Sequence, residues 1–382
     1  MMVFWMKWAC LMTVTRRHVH DVFTLEQPVL PDLSIACKSW PQELVSTEGC
    51  LRVQALAGQL PEDFSDFWGL ECRMLSPEAL ADVLFEVKNK SLGQRLLAGQ
   101  APSCLDALSA EHIAWDRLRA FARLWSQEQE PLFRVPNLWL EFDAQDAASP
   151  QAAAGLITRP SIFLGLRSKK MKLHERKELF SQASHVFQLP LPIFEQVHSF
   201  IESIPSPGQL FQLGFMLGRP TRDIRVCVNH LAPAQVPGWL SSMNWPGDIQ
   251  ALQELLQRLE PEIKALALGF NLCPHGVENR IGLECYMDWN DQKPEQWGCL
   301  LDILDEFSPC HPAKRTGLLA YPGEKPLPAG FRKNSQGAVC LSLFHMIHHI
   351  KLSFEQDRVS QVKAYLAVYK PDLSFTDNWY LK

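Results

Sequence analysis

Five times along the chain a single charged residue sits between apolar neighbours in a short run suited to a strand. The runs are Gly69-Leu70-Glu71-Cys72, Trp139-Leu140-Glu141-Phe142, Ile224-Arg225-Val226, Gly282-Leu283-Glu284-Cys285 and Ile350-Lys351-Leu352. Successive charges are 70, 84, 59 and 67 residues apart, and Gly-Leu-Glu-Cys occurs twice. Neighbouring side chains of a strand point to opposite faces, so each run sets its charge on one face and its apolar pair on the other. Repeated at this spacing with helices between, the pattern predicts a sheet with an apolar back and a charged, aromatic front.

Strand candidates fall in pairs: 50–57 with 67–74, 136–143 with 160–166, 209–217 with 222–230, and 263–272 with 280–288. The C-terminal part offers 314–321, 346–354 and 361–369. Helical periodicity lies between the pairs. Ser76-Pro77-Glu78 has the capping hydroxyl, first-position proline and first-turn acid of a helix start. Residues 111–126 place Ala114, Leu118, Phe121, Ala122 and Trp125 along one stripe. Helices are also expected over 174–187, 191–203 and about 294–307, and after the cap Asp248. Hairpins alternating with helices give an α+β chain: an antiparallel sheet of about ten strands with helices on one side. So many strands curl or close rather than stay flat. An open sheet with one wet face gives the same alternation.

The chain has 382 residues, 47% hydrophobic and 21% charged, which is ample for a large core. No Gly-, Ser- or Pro-rich linker divides it, so residues 46–382 are expected to form one domain behind an N-terminal extension, 1–45. A net charge of −5 gives no general attraction for nucleic acid or anionic membranes. In MMVFWMKWACLMTVTRRHVH the positive pair follows the apolar run, the reverse of a signal peptide, and the run is too short to span a bilayer. A cytoplasmic protein is expected. The eleven cysteines contain no CxxC pair and several occupy apolar strand positions, so core packing is their simplest role.

Two residues along from each charge is the same face. Glu141 is joined there by Trp139 and Asp143, Glu284 by Tyr286, Glu71 by Arg73, Lys351 by His349, and Lys363 by Tyr365. Arg315 is expected to join this group. If the sheet closes, acids of the earlier strands face Arg225, Arg315, Lys351 and Lys363 across one lumen. Each charge taken singly is what a solvated strand face also shows; repetition in phase is what points to a lumen.

This arrangement resembles the ABBA aromatic prenyltransferases, the PT-barrel fold, over about residues 50–369. Lys363-Ala364-Tyr365 looks like a Lys-x-Tyr strand motif by which that family binds an isoprenoid diphosphate, and Ile350-Lys351-Leu352 and Ile224-Arg225-Val226 resemble its single-cation strands. The family's acidic base lies on an early strand, which implies Glu71 or Glu141. The resemblance implies an isoprenoid diphosphate donor and an aromatic or peptide acceptor. Arg225, Arg315, Lys351, Lys363 and Tyr365 would then contact substrate, with Trp139, Tyr286 and Glu284 beside them. Such residues suit the chemistry: cations stabilise a departing diphosphate, aromatic faces shield an allylic cation, and a carboxylate removes the acceptor's proton. The alternative is a non-catalytic ligand-binding or accessory protein using the same cavity.

Two Asp-x-x-Asp spacings, Asp302 to Asp305 and Asp288 to Asp291, could hold Mg²⁺ with a diphosphate. On an amphipathic helix the first is more simply a solvated face. His345, His348 and His349, with Cys273, His275, Cys310 and His311, match no zinc spacing. There is no phosphate-binding GxxxxGK[ST] loop, strand-following GxGxxG or GxSxG elbow.

Overall fold

The computed structural model describes residues 31–61, 64–65, 67–143, 159–166, 171–219, 223–288, 293–326 and 342–369. The N-terminal segment 1–30, Cys340 and Asp291 of the second Asp-x-x-Asp lie outside them. The strands are β1 (Phe67–Arg73), β2 (Ala81–Lys88), β3 (Asn137–Phe142), β4 (Ser161–Gly165), β5 (Gln209–Phe215), β6 (Ile224–Asn229), β7 (Ala265–Cys273), β8 (Gly276–Tyr286), β9 (Gly323–Pro326), β10 (Ser342–Glu355) and β11 (Arg358–Tyr369). The helices are α1 (Pro31–Cys37), α2 (Thr47–Ala57), α3 (Leu92–Leu97), α4 (Leu105–Glu111), α5 (Ile113–Trp125), α6 (Leu173–Phe187), α7 (Leu191–Ser203), α8 (Val236–Ser242), α9 (Ile249–Leu259), α10 (Pro294–Phe307) and α11 (Pro312–Leu319).

Each strand from β1 to β8 pairs antiparallel with the next, β8 pairs with β10, β10 with β11, and β11 returns to β1. The sheet is therefore a closed ten-stranded barrel, with β9 added at the end of β10. Among the described residues, closure gives each of the ten barrel strands a partner on both sides, and helices cover the outside.

The alternation read from the sequence decides which side is which. Leu70 and Cys72, Leu138 and Leu140, Val226 and Val228, Leu283 and Cys285, and Ile350 and Leu352 all join one large core shared with the helices. Five-residue stripes such as Ala114, Leu118, Phe121, Ala122 and Trp125 of α5 are buried against it. On α9, Asp248 Oδ1 accepts from the amides of Gln250 and Ala251 at 2.9 and 3.0 Å, which starts the helix. Its Leu252, Leu255, Leu256 and Leu259 are buried, each worth about 1.5–3 kcal/mol. Leu33, Ala36, Trp40 and Leu44, within the expected N-terminal extension, also pack in this core. Among the described residues, two small apolar clusters lie inside the barrel, one of Phe211, Cys227, Ala267 and Tyr286 and one of Phe67, Met346 and Ala367.

Three elements differ from the sequence expectation. Residues 50–57 are helical, within α2, because Ser46 accepts from the Gly49 amide at 3.1 Å and caps the turn. Cys50, Val53, Leu56 and Ala57 then share one face, and Leu51 is exposed. The partner of β1 is instead β2, where Val83, Phe85 and Val87 alternate with Asp82 and Glu86. Ser76, expected to open a helix, accepts from the Glu78 amide at 3.2 Å in a local turn leading into β2. Residues 314–321, expected as a strand, belong largely to α11, started by Pro312 at a first-turn position.

Candidate functional site within the barrel

Register determines which charges meet. Glu284 on β8 is opposite Lys351 on β10, Lys351 is opposite Lys363 on β11, and Lys363 is opposite Arg73 on β1. One step along, Glu71 is opposite Tyr365. Like charges directly across a strand pair repel, so the two lysines need counter-charges. They have them: Lys351 Nζ lies 2.8 Å from Glu284 and Lys363 Nζ 2.5 Å from Glu71. Tyr286 Oη donates to Glu284 at 2.9 Å, and Tyr365 Oη donates to Glu71. The two Gly-Leu-Glu-Cys strands thus flank the β10–β11 hairpin with matching Lys–Glu–Tyr units.

Between the two tyrosine rings lies His349. It stacks on Tyr365 with centroids 4.2 Å apart and planes 13° apart, and is 4.9 Å from Tyr286. A bulge between Ile347 and His349 turns His348 inward as well, and the two Nδ1 atoms are 2.7 Å apart. Burial keeps both imidazoles neutral, pushing His348 down to about 4 and His349 well below its ordinary value.

The third acid, Glu141 on β3, is met from outside the strands. Arg219, in the turn after β5, reaches Glu141 at 2.8 Å and grips Asp143 with two contacts, at 2.9 and 3.0 Å. Arg225 on β6 takes an amide partner: its Nε donates to Asn271 at 3.0 Å, and Asn271 donates to Glu278 at 2.9 Å. Arg73 pairs with the fully buried Asp82 at 3.0 Å. The three glutamates respond differently. Burial pushes Glu284 up, but Lys351 and the surrounding hydrogen bonds outweigh it and hold it down at about 2. Burial likewise opposes ionisation of Glu71, and Lys363 and Tyr365 hold it well below the carboxylate range. Glu141 is raised, by burial and then by the charge of Glu71, against the pull of Arg219. Of these three it alone is raised above its ordinary value.

One cavity of about 90 Å³ is lined by Trp139, Glu141, Arg225, Glu284, Tyr286 and Lys351, together with His349 and Tyr365. Ligand sites usually measure roughly 300–1,000 Å³. A full ligand therefore requires side chains such as Lys351 and Trp139 to swing. Glycines of the wall make the space in which Lys351 lies. Gly269 and Gly282 are opposite each other, and an added Cβ would come 3.6 Å from Lys351 Nζ at the first and 2.7 Å from its Cε at the second.

Of the expected site residues, Glu71, Trp139, Glu141, Arg225, Glu284, Tyr286, Lys351, Lys363 and Tyr365 are thus brought to the barrel interior. Arg315 is not. It lies on α11 outside the barrel, paired with Asp305 at 2.9 Å and Asp302 at 2.5 Å of α10. Those contacts also occupy the first Asp-x-x-Asp. Among the described residues no three His, Cys, Asp or Glu side chains are grouped to hold a metal, so the donor set does not fit a Mg²⁺ site built by the protein alone. Arg219, Asn271 and His348 were not legible as site residues; the first is in a turn, and the last faces inward only because of the bulge.

A closed ten-stranded antiparallel barrel with a polar lumen and an outer layer of helices is the prenyltransferase-type barrel. Among solved structures, the chain is similar to the prenyltransferase PriB in its apo form, with a TM-score of 0.54 and 14% identity over 88% of this chain and 95% of that one. The PriB ternary complex with L-tryptophan and dimethylallyl thiolodiphosphate gives 0.53 and 14% over the same shares, 88% and 95%. The 5-dimethylallyltryptophan synthase from Streptomyces coelicolor gives 0.46 and 14%, covering 93% of this chain and 97% of that one. No protein-family model matches the chain, and no curated protein does. Among the described residues no helix is long and apolar enough to cross a membrane.

Proposed function

We propose that the chain transfers a prenyl group from an isoprenoid diphosphate to an aromatic acceptor, free or within a peptide, inside the barrel. The observation that carries this reading is one cavity lined at once by Arg225 and Lys351, by Trp139, Tyr286 and Tyr365, and by the proton-avid Glu141. Lys351, Lys363 and Arg225 would donate charge-assisted hydrogen bonds to the diphosphate. An ammonium carries three donors, so each lysine can keep its glutamate and still receive a phosphate oxygen. As the carbon–oxygen bond to diphosphate breaks, its electron pair leaves with the phosphate, and the allylic cation faces the Tyr286, Tyr365 and Trp139 rings. The acceptor ring then forms the new carbon–carbon bond, and its displaced proton passes to Glu141. PriB supports the donor and acceptor class, since its ternary complex holds L-tryptophan with dimethylallyl thiolodiphosphate.

A second reading is favoured by a specific feature: the interior carries its own counter-ions. Glu71, Glu141, Asp143 and Glu284 already pair with Lys363, Arg219 and Lys351. A non-catalytic protein that holds a small, largely neutral ligand in the same cavity accounts for that pairing. Incubation with dimethylallyl diphosphate and tryptophan, or tryptophan-containing peptides, separates the two. Transfer predicts an acceptor heavier by one prenyl unit in the mass spectrum. Ligand binding without product across donors of different chain length supports the second reading.

A further inference from the structure

Outside the barrel a second cavity, of about 420 Å³, opens between the start of α5, the end of α6 and the adjacent ends of β5 and β6. Its walls include Phe187, Leu189, Pro190, Phe215 and Leu217, and three arginines are among its lining residues: Arg117, Arg159 and Arg219. Arg117 is anchored to the end of α6, donating to the Phe187 carbonyl at 3.3 Å and to Gln188 Oε1 at 2.5 Å. Those neutral partners leave its charge uncancelled. Arg159 is exposed and forms no ion pair among the described residues. Arg219 spends Nε and Nη2 on Asp143 and Glu141, while its Nη1 meets the sulfur of Met216, another wall residue, at 3.8 Å. The lining has one carboxylate, Asp223, which has its own partner. The cavity therefore combines an excess of forked cations with apolar walls.

A bare inorganic anion would satisfy the cations and leave the walls without partner atoms. A basic or wholly apolar ligand would leave guanidinium groups desolvated without compensation. A carboxylate matches the guanidinium fork, and aliphatic neighbours match the walls. We propose that this cavity binds a peptide segment carrying an acidic side chain beside aliphatic ones, its carboxylate held by Arg159, Arg117 and the outward Nη1 of Arg219. The same guanidinium holds Glu141 inside the barrel, so an anion at Nη1 shares its charge and loosens its hold on that acid. The charges of Asp143, just past the end of β3, of Glu71 on β1 and of Lys363 on β11 also act on Glu141. That consequence for the acid, though not the binding itself, rests on reading Glu141 as the base.

Fluorescence anisotropy with a rhodamine-labelled peptide of alternating Leu and Glu tests the site, with Leu–Gln and Leu–Lys peptides as controls. Saturable binding by the Leu–Glu peptide alone, weakened by salt and at least tenfold by Arg159→Glu, is the expected result. Arg159 is exposed, so this variant should keep the thermal midpoint of the parent; Arg117→Ala would also remove contacts to α6. No saturation, equal affinity for Leu–Gln, or an unchanged Arg159→Glu overturns the site. The carboxyl stretch that disappears in Glu141→Gln reports the coupling, and its protonation midpoint should move up when the Leu–Glu peptide binds. Binding without that movement overturns the coupling and leaves the site standing. Absence of prenyl transfer bears on neither measurement.

Discussion

Glu141 and Glu71 lie on nearby strands of the barrel, yet their surroundings differ. Glu71 is committed to Lys363 and Tyr365, and its charge is needed there. Glu141 shares one guanidinium with Asp143 and is raised by burial and by Glu71. Glu141→Gln should therefore lower kcat by ~10²–10⁴-fold with little change in KM, as loss of a general base does. Because the base must be ionised, activity should rise with pH along a limb lying above the ordinary carboxylate range. Steady-state kinetics across pH check both. Replacing a lumen lysine is another matter. The sequence gives no reason to expect Lys351→Ala to unfold anything, since lumen charges read as solvated. With Glu284 left buried and unpaired, the loss is about 3–5 kcal/mol, and Glu284→Gln in the same chain should recover part of it. Urea denaturation of the single and double variants measures this; equal stability of Lys351→Ala and the parent would show that the pair is solvated. The strand charges were legible because period-two alternation exposes them one by one. Their pairing was not, because it depends on register between strands far apart in sequence.

At the scale of elements, the glycines of β7 and β8 set how far Lys351 can lie across the barrel. A methyl at Gly282 would overlap Lys351 Cε at 2.7 Å and push the ammonium away from Glu284, whereas at Gly269 the nearest atom is 3.6 Å away. Gly282→Ala is thus expected to cost at least 1 kcal/mol more than Gly269→Ala, as an overpacked site does. Thermal denaturation of the two variants decides; equal costs would place Lys351 elsewhere. The helices α5, α6, α7, α9 and α10 were legible from stripes and caps, as were the strands β10 and β11 without their pairing. α2 and β2 exchanged roles because Cys50-Leu51-Arg52-Val53 fits either period, and a serine cap, Ser46, settles the matter. The run after Ser76 carries helix-start chemistry, yet the alternation of Val83, Phe85 and Val87 and the open edge of β1 prevail.

For the whole molecule, closure concentrates buried ionisable groups, and acid should act on them together. Glu284 stands at about 2 in the folded chain against 4.5 in the open chain, so its stabilisation is present above pH 4.5 and is lost as pH falls towards 2. That single linkage is worth roughly 3 kcal/mol. Protons reach the unfolded chain earlier still at His348, whose ordinary 6.5 is lowered to about 4 by burial, so the decline should begin near pH 6.5. Glu141, raised in the folded state, opposes this just above the ordinary carboxylate range. Thermal midpoints measured from pH 7 to pH 3 should fall, and His348→Gln should lessen the slope of the upper part, leaving the share due to His345 and His349.

The barrel interior is proposed to receive an isoprenoid diphosphate, and Arg225 gives the cleanest test. Its partner is the amide of Asn271, so Arg225→Gln strands no buried acid. Calorimetric titration of dimethylallyl diphosphate into the parent should give saturable binding, and Arg225→Gln should weaken it by about 1–3 kcal/mol, about 5- to 150-fold in Kd, with an unchanged thermal midpoint. Saturable binding of equal strength in both proteins, or no binding to the parent, would contradict the account.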